Sequence, residues 1–163
     1  MTNPERAKSE TVADLEAAYG PPSPAGFGSA VFHEQIDAAG DLRQVALEKY
    51  EYFVGDLWAR YGENAWMGPW KEVYTRDPGA KGDIVAELRG IQDPEAARSV
   101  PMILENIEGA DRARAALSAV YDDPAMTELR VFNLGDGEAM PGLLVAGRRA
   151  ATGDAIFLVF LLD

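Results

Sequence analysis

The chain contains no cysteine and a single histidine, His33, among its 163 residues. The first absence excludes disulfides, thiolate metal sites and cysteine nucleophiles. The second excludes, within one chain, the common metal sites built from two or three histidines. Basic residues are also scarce: 15 Lys and Arg stand against 27 Asp and Glu, for a net charge of −12. The excess is spread evenly along the chain and favours solubility. It argues against a nucleic-acid partner, whose affinity comes from neutralising phosphates with Lys and Arg. Long apolar runs are missing too. The longest, Ala155–Leu162, has eight residues, far short of the roughly 20 that a membrane-spanning helix needs. The first ten residues hold no apolar stretch of the kind a signal peptide carries. The expectation is a cytoplasmic protein of bacterial type, with no membrane or nucleic-acid partner.

A length of 163 residues fits one domain. The C-terminal part gives the clearest pattern. Thr127–Leu134, Gly142–Arg149 and Ala155–Leu162 read as strands, with Gly135-Asp136-Gly137 and Thr152-Gly153-Asp154 as the turns between them. The part before them is helical. Val12, Leu15, Ala18 and Tyr19 recur at helical spacing and Gly20 ends the stretch. Pro21 to Gly28 reads as a stiff loop, which makes residues 1–28 a helix plus linker set apart from a single domain over 29–163. Ser29 is a cap candidate for a short helix to about Ala39. Leu42, Ala46, Tyr50, Phe53, Leu57 and Tyr61 form one face of a long helix that Gly62 stops. Asp83 caps another helix, and Pro94 and Pro101 each suit a first helical position. Helices followed by a meander give an α+β class, with an N-terminal helical region packed on one face of a three- or four-stranded antiparallel sheet.

The last strand is apolar on both faces, and such strands are covered on both sides. At a free edge it would invite aggregation. Trp70–Arg76 is the favoured cover as a fourth strand, which leaves a monomer. The same strand, 155–162, of a second copy is the other candidate, which gives a homodimer.

Candidate chemistry is thin. Gly135-x-Gly137 with Gly142 has the wrong spacing for a dinucleotide loop and is followed by a strand, so a hairpin is the better reading. Gly26-Phe-Gly28-Ser29 lacks the lysine and preceding strand of a phosphate loop. Asp37/Asp41, Asp77/Asp83 and Asp122/Asp123 do not follow calcium-loop spacing and read as caps and turn formers. No cofactor or metal is expected. His33 is placed in the short helix after Ser29 and is more at home as a polar side chain with a partner than as a general base. Trp58, Trp66, Trp70 and Tyr74 concentrate aromatics in segment 58–74; core is the bland reading, and a pocket wall or partner surface the functional one. Arg148 and Arg149 end a strand on opposite faces, so one needs an acid partner or a covering loop. The leading functional expectation is a non-catalytic interaction protein of adaptor, inhibitor or immunity type. The alternative is a small-molecule binder or enzyme with a pocket lined by residues 58–74 and with His33 or Arg148 as its polar group.

Overall fold

The computed structural model describes residues 4–21 (4–10 as backbone alone), 28–37, 39–77, 79–135, 141–149 and 151–161. Strands β1 (Gly28–Gln35), β2 (Lys71–Thr75), β3 (Met126–Gly135), β4 (Pro141–Arg149) and β5 (Asp154–Leu161) form one antiparallel sheet in the order β1-β5-β4-β3-β2. The apolar run at the C-terminus becomes β5, held between two neighbours: Phe157 faces Phe32 of β1 on one side and Ala146 of β4 on the other. Both of its edges are used, so its cover comes from within the chain.

That cover is not Trp70–Arg76. Segment 71–75 does form a strand, but β2 pairs with β3 at the far edge, Lys71 opposite Asn133, with a bulge between Glu72 and Tyr74. β1 sits beside β5 instead. Although β1 is also an edge, its stretch Ala30-Val31-Phe32 is buried, whereas β2 is exposed or half-buried throughout. The expected helix from Ser29 is therefore a strand. Ser29 caps nothing; its hydroxyl donates to the Tyr19 carbonyl at 2.5 Å. With both edges of β5 satisfied, a homodimer through strand 155–162 has no hydrogen-bonding edge left to form on.

The α+β class stands, with five strands rather than three or four, and the helices extend to both faces. On one face α1 (Pro4–Tyr19), α5 (Ile84–Arg89), α6 (Pro94–Leu104) and α7 (Ala110–Tyr121) pack on Val31, Val131, Val145, Ile156 and Leu158. On the other, α2 (Leu42–Val54), α3 (Asp56–Tyr61) and α4 (Glu63–Met67) lie over Phe32, Phe132, Leu144, Phe157 and Val159. Alternation along each strand feeds the two cores in turn. The long helix expected over 42–61 is broken at Gly55, whose φ of 63° and ψ of −134° belong to glycine. Pro101, by contrast, breaks nothing: α6 runs through it to Leu104. Leu15 and Tyr19 of α1 are buried in the same core as α7. None of the helices among the described residues is long and apolar enough to cross a membrane.

Candidate functional site

Asp41 caps α2, its carboxylate accepting from the Arg43 N–H at 3.0 Å. Leu42, Ala46, Tyr50 and Phe53 then turn toward the sheet and are buried. With 3.6 residues per turn, the same phase sends Glu48, Glu51 and Tyr52 outward. Tyr52 is 54% exposed. Its ring meets Phe32 of β1 edge-on, with centroids 5.8 Å apart. The backbone turn at Gly55 bends the chain back so that α3 starts beside this face, bringing up Asp56, Trp58 and Ala59.

Two open grooves result, and they share Glu48 and Tyr52. The larger, about 480 Å³, is lined by Glu48, Glu51, Tyr52, Gly55, Asp56, Trp58 and Ala59. The smaller, about 350 Å³, is lined by Phe32, His33, Glu48, Lys49 and Tyr52. Lys49 is committed within it: its ammonium lies 2.8 Å from Glu34 and 6.0 Å from the centre of the Phe32 ring. Neither groove is enclosed. Their chemistry is that of a contact surface, with ring faces and carboxylates presented to solvent.

The residues singled out in the sequence are distributed unevenly around this face. Trp58 forms a wall of the larger groove. Behind it the remaining tryptophans build a core. Trp58 stacks on Trp66 at 6.5 Å and meets Tyr50 edge-on at 5.2 Å. Trp70 lies between Tyr50 and Phe132, parallel to both. Trp66 is fully buried, and its indole N–H donates to the Leu57 carbonyl at 3.0 Å. The Tyr50 hydroxyl donates to the Trp66 carbonyl at 2.8 Å and accepts from the Gly135 N–H at 3.1 Å.

Tyr74 belongs to the opposite core. Its hydroxyl donates to Glu87 at 2.6 Å, and burial together with that bond pushes its pKa up to about 12. Glu87 also receives Arg76 through Nε at 2.9 Å and Nη2 at 2.6 Å. Burial works to raise the Glu87 carboxyl, but the bonds from Arg76, Tyr74 and the Asp83 amide outweigh it and hold the pKa low. Arg76 is itself buried and donates through Nη1 to the Tyr121 carbonyl. This cluster ties β2 to α5 and to the end of α7.

His33 stands on the edge strand β1, half-exposed, with Nε2 3.4 Å from Asp154. Gln35 donates to the same carboxylate. Arg148 donates to the carbonyls of Gly40 and Asp37, which pins the turn between β1 and α2. Arg148 also lies 3.9 Å from Glu128. Arg149, on the other face, has two acid partners, Asp123 at 3.3 Å and Asp154 at 4.0 Å. A covering loop and an acid thus serve Arg148, and ion pairs serve Arg149. Among the described residues, no three carboxylate or imidazole groups gather closely enough to hold a metal ion.

Tyr52, Glu48, Glu51, Asp56 and Phe32 were not singled out by sequence. One signal was there: Tyr52 is a large aromatic out of phase with the apolar stripe Ala46–Tyr50–Phe53. No family model, no curated protein and no solved structure matches the chain.

Proposed function

We propose that this is a non-catalytic interaction protein of adaptor, inhibitor or immunity type, acting as a monomer in the bacterial cytoplasm. Its docking face is the outer side of α2 with the start of α3. The observation that carries the proposal is Tyr52, 54% exposed on a helix whose other large aromatics, Tyr50 and Phe53, are buried. An exposed aromatic in the middle of a polar helix face is a common anchor at protein contacts, and open grooves flank it on both sides. The net charge of −12 directs the protein away from nucleic acid and toward a protein partner.

A photo-crosslinking amino acid at position 52, introduced in the source cells, tests this. A discrete protein adduct is expected, absent when the same residue replaces the exposed Ala115 of α7. A second reading, a small-molecule binder, is favoured by one observation: His33, Lys49 and Glu48 converge on the smaller groove. It would prevail if no adduct formed and a metabolite raised the melting temperature of the wild type but not of His33→Gln.

A further inference from the structure

The larger groove gathers three carboxylates that no cation among the described residues neutralises. Several acidic side chains elsewhere meet cations: Glu72 and Glu128 hold Arg130, Asp93 holds Lys71 at 2.7 Å, and Glu105 faces Arg89 at 3.3 Å. Glu48, Glu51 and Asp56 line one groove together, and among the described residues none of them is within ion-pair distance of a cation. Arg60, one turn beyond Asp56, makes no pair with it, and Lys49 is spent on Glu34. Between the carboxylates lie two aromatic walls, Tyr52 and Trp58, and the small residues Gly55 and Ala59. Trp58 is fixed from behind by Trp66 and Tyr50, so its ring is a rigid platform.

We infer that this groove receives an arginine side chain from a basic segment of a protein partner. The inference rests on the interaction reading above and names the chemistry of its partner. Carboxylates beside a low-dielectric aromatic wall concentrate negative potential and draw in a cation. A guanidinium fits better than an ammonium for three reasons. It is flat and stacks on aromatic faces, it pairs with carboxylates through two parallel N–H donors, and it sheds water at less cost. The groove is open, so the residues flanking the arginine remain in reach of Tyr52.

The test uses the full ¹⁵N-labelled chain and a short Gly/Arg peptide, with the matching Gly/Lys peptide as the comparison. At low ionic strength, amide shifts should concentrate over residues 48–59, and the arginine peptide should bind about threefold or more tighter than the lysine one. The variant E48Q/E51Q/D56N should lose the response. D14N/D77N/E108Q, which removes the same charge from exposed sites elsewhere, should keep it. Tyr52→Ala retains every carboxylate and should lose the preference for arginine over lysine. If the groove triple variant does not fold, E48Q/E51Q carries the same comparison. Shifts scattered over the surface, equal losses in the two triple variants, or equal affinity for the two peptides would overturn the inference. A protein adduct from position 52 alongside any of those results would leave the interaction reading standing without its arginine. A localised peptide response without an adduct would sink the interaction reading and keep the cation groove.

Discussion

Trp70 lies flat on Phe132, with ring centroids 4.6 Å apart and 2° between the planes. The pair joins the segment before β2 to the middle of the sheet, and Tyr50 stacks on the same indole from α2 at 5.4 Å. Offset stacking adds to the area these rings bury. Trp70→Ala should therefore destabilise by about 3–5 kcal/mol, while Trp58→Ala, at the groove wall, should cost about 1–2 kcal/mol. Urea unfolding followed by circular dichroism measures both. A Trp70→Ala protein of unchanged stability would show that the indole is a surface ring rather than part of the core.

Arg76 and Glu87 make the protein sensitive to acid. Arg76 is almost wholly buried, and two of its nitrogens bond the Glu87 carboxylate. The Glu87 pKa is lowered in the folded state. A carboxyl with a depressed folded pKa contributes stability above its unfolded pKa, about 4.3, and loses it as pH falls through the folded value. Asp122, raised mainly by burial, acts in the opposite sense and softens the slope. Glu87→Gln should cost about 3 kcal/mol at pH 7, because it leaves the buried guanidinium only the more distant carboxylate of Asp122, 3.7 Å away. It should also flatten the decline in melting temperature below pH 4.3. The same acid slope in the variant would place the titrating group elsewhere.

Gly55 decides where α2 ends. Its φ of 63° with ψ of −134° is closed to side chains with a Cβ. Gly55→Ala should cost about 1–3 kcal/mol. It should also disturb the larger groove, since Asp56 and Trp58 are positioned by that turn. Nuclear magnetic resonance shifts over residues 48–59 report the second effect. A variant that keeps both stability and those shifts would mean that the helix tolerates the break elsewhere.

The strands β3, β4 and β5 were legible because each carries its own signal: a run of apolar residues closed by glycine-bearing turns. The caps Asp41 and Asp83 were legible for the same local reason, and Pro94 marked the start of the helix that Asp93 caps. β1 was not. Ser29-Ala-Val-Phe-His has neither clean alternation nor a hairpin turn, and its partner lies more than a hundred residues away at β5. Serine before an apolar residue imitates a helix cap; only the distant apolar strand makes β1 extended. The break at Gly55 was hidden because the heptad-like stripe continues to Tyr61 in sequence, although Tyr61 ends 56% exposed once the helix turns. The candidate surface was hidden because its exposed aromatic, Tyr52, lies out of phase with the apolar stripe. Trp66 and Trp70 mark the core behind it, Trp58 forms its wall, and Tyr52 stands among glutamates outside the apolar stripe.

Phe157 should be among the most costly residues to truncate. It is fully buried at the centre of β5, with β1 and β4 on either side. Phe157→Ala should lose about 3–5 kcal/mol, and its unfolding should remain a single transition, since β5 feeds both cores through alternate residues. A loss below about 1 kcal/mol would mean that the site collapses around the missing ring.

The last prediction concerns α1. Ser23, Ala25 and Gly26 supply small residues between Gly20 and Gly28, and limited proteolysis should cut there first. Separation is a different matter. Leu15 is fully buried against the core, the Tyr19 hydroxyl donates to the Ile103 carbonyl at 3.0 Å, and the Gly20 carbonyl accepts from the Val31 N–H at 2.9 Å. These contacts bind a helix of 16 residues that is marginal by itself. The nicked protein should therefore elute from size exclusion as one species and fall apart only in denaturant. Tyr19→Phe, which leaves the Ile103 carbonyl without its donor, should lower the denaturant midpoint for release by an amount matching about 1–2 kcal/mol. Release of residues 1–20 in plain buffer would establish that the first 28 residues are a detachable segment after all.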